Sequence, residues 1–367
     1  MKNIDKIVSI VAPVYNVQRY LEIFMNSVLQ QTYRKFEVIC IEDGSTDESL
    51  NLLCDFTKRN SQIKLIEQNN SGAAAARNLG LNYANGEYVI FLDSDDYFEP
   101  DLIEESVAKA EEFNADIVIF RAEAFDDETG QTSALNDRIS KLPEYQKKVF
   151  SYKDIPEDIF NSFLTAPWNK LYRKSFLDEY GFKFQNIKRT NDLLFVCQTL
   201  VTAKRIILLD KVLVHYRTGI TKNLQSGNAE TPLDFYKALI ALKEYLGKEN
   251  LFSAVAKSYY KLVLDIVFYN LNSITSDKQF KELIEFFKDK GFNNLGLTDS
   301  TELYKLSFLG YLQYKCAISN SGLNKVNLLR KLYKLFKAWQ YFNIAGTQGL
   351  LNKIKLNLKV RSRRQCK

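Results

Sequence analysis

Two hydrophobic rhythms alternate through the first 120 residues. Short, nearly continuous apolar runs stand at 7–13 (IVSIVAP), 36–42 (FEVICIE), 63–67 (IKLIE), 88–93 (YVIFLD) and 116–120 (DIVIF). Helix-length segments lie between them, at about 17–31, 46–60, 72–84 and 100–113. Runs without a polar alternate face predict strands covered on both sides. Strand–helix alternation with short links predicts right-handed crossovers and a parallel sheet. Local punctuation agrees. Ser45 and Glu48 have capping-box spacing, Pro100 suits a first helical turn, and acidic residues follow it.

Beyond residue 125 the pattern weakens, and DDETGQTSALND (126–137) reads as a polar turn or surface loop. APWNKLYRKSF (166–176), RTNDLLFVCQTL (189–200) and a strand-like IILLDKVLVHYR (206–217) follow. After the polar stretch 218–231 everything reads as helix. Phe235, Ala238, Leu239, Leu242, Tyr245 and Leu246 form one stripe, and further stripes run through 252–270, 278–290 and 301–318. The expected organisation is an α/β domain over 1–228 and a helical region over 229–367, with the boundary near 225–232. No internal repeat is visible.

A chain of 367 residues can bury more than one core. The five cysteines, Cys40, Cys54, Cys197, Cys316 and Cys366, are odd in number and scattered, with no CxxC. That argues for a reducing compartment and against a disulfide framework or a zinc site. A single histidine, His215, leaves little for a His-rich metal site or a Ser-His-Asp triad. The first apolar run is short, contains Pro13 and lacks a cleavage signal, so no signal peptide is expected. No stretch of about 18 uncharged apolar residues suits a membrane span. Charge is uneven. From Leu323 to Lys367 there are 12 Lys/Arg and no Asp/Glu, although the whole chain nets only +6. An acidic body thus carries a basic tail suited to an anionic partner.

Ligands in an open parallel α/β sheet bind beyond the carboxyl ends of the strands. Those ends are polar here: PVYN after the first strand, EDGSTD after the second, DSDD after the fourth. Neither GxGxxG after the first strand nor GxxxxGK[ST] occurs. Asp93, Asp95 and Asp96 repel one another unless a cation sits among them. Carboxylates and phosphate oxygens suit Mg²⁺ or Mn²⁺, with the rest of the metal's shell supplied by a diphosphate and water.

In this order, PVYN, EDGSTD, GAAAARN, FLDSDD and WNKLYRKSF resemble the family 2 glycosyltransferases, inverting enzymes of the GT-A fold, over roughly residues 1–225. The resemblance implies a Rossmann-like, mostly parallel sheet flanked by helices, with a nucleotide-sugar half over about 1–120 and an acceptor half over about 121–228. It implies that Pro13 and Tyr15 line the base pocket and that Asp43 hydrogen-bonds the uracil. Arg77 would lie near the nucleotide and Asp93 would contact the ribose. Asp95 would bind the Mn²⁺ or Mg²⁺ that bridges the diphosphate of a UDP-sugar. The family's catalytic base lies in a Glu-Asp pair, matched here by Asn191-Asp192, which makes Asp192 the base. Two departures stand out: Glu42 replaces the usual Asp before Asp43, and Asn191 replaces the usual Glu. The implied reaction moves a hexose or N-acetylhexosamine to a bacterial surface glycan, such as lipooligosaccharide, capsule or a lipid-linked oligosaccharide.

Other readings stay open on the residues alone. Clustered aspartates also serve metal phosphohydrolases and nucleases, and the basic tail could mark a non-enzymatic membrane- or nucleic-acid-binding protein. The acidic body argues against nucleic acid as a partner. Asp192 could be only a helix cap, Trp168 a packing residue, and His215 a structural histidine rather than a metal ligand. In KVNLLRKLYKLFKAW (325–339), Leu329, Leu332, Tyr333, Phe336 and Trp339 form a stripe edged by Lys325, Arg330, Lys331, Lys334 and Lys337. That pattern suits either the surface of an anionic membrane or a helix packed on the body. The expected location is cytoplasmic, peripheral at the inner face of the cell membrane.

Overall fold

The apolar runs fold as strands close to their expected ends: β1 Val8–Val14, β2 Phe36–Glu42, β3 Ile63–Glu67 and β4 Tyr88–Phe91. Helices α1 Gln18–Leu29, α2 Ser49–Arg59 and α3 Ala73–Tyr83 connect them. This is a computed structural model; it describes residues 5–135, 138–219, 230–298, 300–319, 328–329, 331–335 and 338. Next come β5 Tyr97–Phe98, α4 Leu102–Glu112, β6 Ile117–Asp126, β7 Thr132–Ala134 and β8 Lys170–Arg173. Helices α5 Lys174–Tyr180 and α6 Leu193–Thr202 and strand β9 Ile206–Thr218 follow. The nine strands form one sheet in the order β3-β2-β1-β4-β8-β6-β9-β5, with β7 on β6.

The sheet is mixed rather than purely parallel. β1 to β4 are parallel as expected, but β8 inserts antiparallel between β4 and β6. KLYR hides this role because its central position demands burial of Lys170. The structure meets that demand by folding the ammonium back onto three neutral oxygens, Leu164 O, Ala166 O and Asn169 Oδ1, each at 2.7 Å. β6 runs past residue 120, bending at a bulge over Phe120–Ala122 where it meets β9. It then turns back through β7, so part of the expected loop 126–137 is a hairpin.

α3 lies close on the sheet because its inward face is small. Ala74 and Ala76 are buried, and a Cβ on Gly80 would stand 2.4 Å from Val11 Cγ1. Behind β4 and β8, Phe91, Phe184 and Phe195 form an aromatic cluster with centroids 4.0–5.5 Å apart. Each such ring contributes roughly 1.5–3 kcal/mol by burial. Trp168 is a packing residue, buried and stacked on Tyr216 at 5.4 Å.

The chain forms two compact units, residues 1–227 with 233–258, and residues 228–232 with 259–367. Helix α7 Asp234–Lys248, expected in the C-terminal region, therefore belongs to the first unit. Polar contacts explain this: Thr202 Oγ1 and Tyr245 Oη lie 2.7 Å apart, and Arg189 N–H donates to Asp234. The division falls inside α8 Phe252–Ser273, whose Ser258 hydroxyl accepts the Phe160 N–H of the first unit.

The second unit continues through α9 Asp277–Phe286, α10 Phe292–Asn294, α11 Ser300–Leu306 and α12 Phe308–Ile318 around Phe268, Phe287, Phe292 and Tyr314. Among the described residues no helix is long and apolar enough to cross a membrane. In the basic tail, residues 328–329 and 331–335 are helical. Leu329 is buried, Leu332 and Tyr333 are half-buried, and Leu328 and Leu335 are exposed. Burial pushes the Tyr333 phenol well up. Two members of the expected membrane-facing stripe, Leu329 and Tyr333, are thus at least partly spent on the protein. Lys325, Arg330, Phe336, Lys337 and Trp339 lie outside the described residues, as does most of the stretch 218–231.

Candidate active site

The loops after β1 and β2 are knitted together by short polar side chains aimed at backbone N–H groups. Asn16, in the left-handed conformation (φ 51°), donates its N–H to Ser45 Oγ (3.1 Å) and accepts from Thr46 N–H through Oδ1 (2.8 Å). Asp47 accepts from Gln18 N–H and Ser49 N–H. The expected capping box at Ser45 and Glu48 does not form: α2 begins at Ser49, and the Ser45 hydroxyl holds the neighbouring loop instead. Glu42 curls its carboxylate over the turn, accepting from Gly44 N–H (3.1 Å) and Ser45 N–H (2.6 Å). Gly44 takes φ +71°, with Asn70 N only 3.0 Å from where a Cβ would stand, so glycine is required there.

Asp43 faces inward. Its oxygens accept from Gln68 Nε2 (2.6 Å), Ser71 N–H (2.7 Å) and Gly72 N–H (2.8 Å), which anchors the segment leading into α3. Pro13 sits at the end of β1, its carbonyl accepting from Ser94 Oγ at 2.7 Å. Tyr15 beside it is exposed. The ends of β1, β2 and β4 therefore meet, as the sequence leads one to expect.

The DSDD segment is the charged centre. Asp93 accepts from Arg77 Nη2 at 2.6 Å. Burial, with Asp93 close by, pushes the Asp95 carboxyl up to about 6. Asp96 is fully buried and pushed well above the ordinary range by burial and by Asp95 and Asp93. Its Oδ1 accepts the Arg217 N–H at 2.7 Å, while its Oδ2 has no partner among the described residues. Among those residues no three His, Cys, Asp or Glu side chains converge to hold a metal. The donor set nevertheless fits a hard divalent cation that takes most of its shell from a substrate. Asp95 is an oxygen donor held close to another anion, and an added positive charge would relieve that repulsion.

Arg217 is the principal residue that sequence reasoning missed. Besides its N–H on Asp96, its Nε donates to the Asp95 carbonyl (2.7 Å) and its Nη1 to Asp127 Oδ1 (2.6 Å). Asp127 is held in turn by Arg19 (2.9 Å) and the Tyr20 hydroxyl (3.1 Å). The guanidinium faces the rings of Tyr20, Tyr97 and Phe125 at 4.6–5.7 Å. A clue was available in the alternation of IILLDKVLVHYR, which puts an arginine at the end of a strand. Nearby, His215 is buried. It stacks on Tyr97 (4.4 Å), and its two ring nitrogens face Glu123 (2.9 Å) and Glu99 (2.7 Å).

The start of α6 comes to the same place. Arg77, buried at 6% exposure and lying against the Phe184 ring, reaches Asn191 Oδ1 with Nη1 (3.2 Å) while Nη2 holds Asp93. Asp192 is the first residue before α6, but its side chain makes no capping hydrogen bond. Burial raises its carboxyl, and Arg77 pulls the other way. Thr190, two residues earlier, has φ 55°, a strained conformation for a β-branched side chain. Such strain persists where the surroundings over-determine it, and it concentrates at functional sites.

Together these features define a GT-A domain, a mixed α/β sheet that gathers carboxylates and buried arginines at its strand ends, followed by a helical region. Residues 9–181 match the model for glycosyl transferase family 2. Glycosyltransferase GlyA of Streptococcus pneumoniae is 33% identical over 222 residues, covering 58% of this chain and 31% of that protein. The putative glycosyltransferase EpsH of Bacillus subtilis is 31% identical over 221 residues, covering 59% and 62%. In both cases the match takes in less than two thirds of the relative. Among solved structures, Staphylococcus aureus TarS 1–349 superposes with a TM-score of 0.65 at 20% identity, covering 92% of this chain and 94% of that one.

Proposed function

We propose that the chain is a metal-dependent, inverting glycosyltransferase that moves a hexose or N-acetylhexosamine from a UDP-sugar to a hydroxyl of a bacterial surface glycan. The observation that carries this reading is the Arg77 bridge, which brings Asp93 at the end of β4 to the start of α6, where Asp192 stands. The fold-level likeness to TarS adds support, since the same TarS fragment has been solved in complex with UDP-GlcNAc.

In this reading Tyr15, exposed beside Pro13, stacks on the base, and Asp43 holds the wall of the base pocket. Asp93, fixed by Arg77, takes the ribose. Asp95 would hold Mn²⁺ or Mg²⁺, which when bound neutralises charge on the diphosphate. Asp192 accepts the proton of the acceptor hydroxyl as its oxygen attacks C1. The bond from C1 to the diphosphate oxygen breaks, the electron pair leaves with UDP, and attack from the opposite face inverts the anomeric centre. A buried carboxylate with a raised pKa is a stronger base than a solvated one, which suits this task.

Incubation with a panel of nucleotide sugars and Mn²⁺ tests the reading. UDP release from one donor, abolished by EDTA and restored by Mn²⁺, is expected. Phosphate release from simple esters instead would make the protein a phosphohydrolase. In this reading the basic tail would hold the enzyme at the cytoplasmic face of the membrane, near a lipid-linked acceptor. Each basic residue near an anionic bilayer gains about 1 kcal/mol. With Leu329 buried, charge rather than apolar insertion carries the attachment. Flotation with anionic liposomes tests this, because binding should be lost when residues 323–367 are removed or salt is raised.

A further inference from the structure

Asn191 stands at the junction of three elements. Its Oδ1 accepts from Arg77 of α3, whose other arm holds Asp93 after β4, and its Nδ2 donates to Lys188 O (3.4 Å) just before α6. It is only 6% exposed and follows the strained Thr190. We propose that Asn191 is a positioning residue: an uncharged acceptor that holds Arg77 across the gap between β4 and α6, leaving the guanidinium charge to Asp93 and Asp192. This deepens the transferase reading and rests on it for the role of Asp192.

The acceptor at position 191 decides where the Arg77 charge is spent. A carboxylate there would take the same Arg77 arm in a charge-assisted bond. It would also set a second negative charge beside Asp192 and compete with it for Arg77. An apolar side chain would leave the buried Nη1 without its partner and free Arg77 to turn wholly toward Asp93. Asparagine alone of these gives the bridge without the charge. Several groups bear on Asp192: Arg77 from α3, Asp93 after β4, Lys170 and Tyr172 from β8, and Cys197 from α6 itself. Arg77 and Lys170 favour the ionised carboxylate; burial and Asp93 oppose it. The two sides pull against each other, so a single added or removed charge contact at 191 moves the outcome.

The test follows the Asp192 carboxyl directly by ¹³C NMR titration of the full chain, its resonance identified by its loss in Asp192→Asn. Asn191→Asp should move that titration upward by about one pH unit. The acid limb of kcat/KM should move with it, while UDP affinity stays within about twofold. Asn191→Ala, which adds no charge, should also move the titration upward, by relaxing Arg77 toward Asp93, and should lower kcat about tenfold. Thermal melts establish which variants are folded, and either one suffices. An unmoved Asp192 titration in a folded variant overturns the proposal, since a merely structural asparagine would leave it in place. If the titration moves but the wild type releases UDP from no donor, the transferase reading falls and the Asn191 assignment stands.

Discussion

The two sides of the site are built by different physics. On the β1–β2 side, short side chains such as Asn16, Ser45 and Asp47 bond exposed or half-buried backbone N–H groups 2 to 30 residues away. On the β4–α6–β9 side, buried arginines bond acidic and amide groups that are mostly far along the chain: Arg77 to Asn191 across 114 residues, and Arg217 to Asp96 and Asp127 across 121 and 90. Water can replace a lost partner on the first side. It cannot easily do so on the second, where an orphaned charge carries its full desolvation cost. The exposed bonds of the first side should therefore tolerate single deletions, and the buried ones of the second should not.

The largest expected effect tests the charged side at its chemical end. Asp192→Asn keeps the shape and removes the base, so transfer should fall about 10²–10⁴-fold with UDP binding nearly intact. The sign of the pH dependence follows from the raised carboxyl. The base must be ionised, so the wild-type rate should fall as pH drops through a midpoint above the ordinary aspartate value. A near-normal rate in Asp192→Asn, measured by UDP release, would move the base elsewhere.

Arg217→Gln comes next and acts on the fold. Among the described residues Asp127 would keep only Arg19 and Tyr20, and the Asp95 carbonyl would lose its donor. Breaking a buried pair in this way costs about 3–5 kcal/mol, to be read from urea unfolding. Arg217→Lys should recover only part of the loss, because an ammonium cannot serve the Asp95 carbonyl and Asp127 with one fixed fork. If both variants unfold like the wild type, the contrast between the two sides is wrong.

The same contrast decides what could be read in the sequence. β1 to β4 were legible because uninterrupted apolar runs have one good solution in a sheet covered on both faces. The strand-end carboxylates were legible because topology alone brings those ends together. β8 was not: its four residues carry two cations, and contacts such as the carbonyls of Leu164 and Ala166, with Asn169, make Lys170 acceptable inside. The placement of α7 with the first unit turns on contacts such as Thr202 with Tyr245 and Arg189 with Asp234, which no local pattern announces. Arg217 and Asp127 were hidden for the same reason, since nothing near either residue names its partner. Ser45 and Glu48 erred in the opposite sense. Their spacing satisfied a local rule, but a neighbouring loop claimed the hydroxyl first.

That error yields the smallest and sharpest prediction. Ser45→Ala removes one hydrogen bond, from the exposed Asn16 N–H, while the Ser45 N–H stays on Glu42. Water can take the vacated donor, so the loss should be under about 1 kcal/mol, with no change in kcat. Hydrogen exchange then locates the damage. A capping serine would protect the first-turn amides of α2, and its loss would speed exchange there. In this structure those amides are served by other groups, Gln18 bonding the Glu48 N–H and Asp47 the Ser49 N–H. Exchange should therefore quicken at Asn16 and remain unchanged at Glu48 and Ser49. Faster exchange confined to α2 would restore the capping box and remove Ser45 from the loop-to-loop contacts on which the tolerance of this side depends.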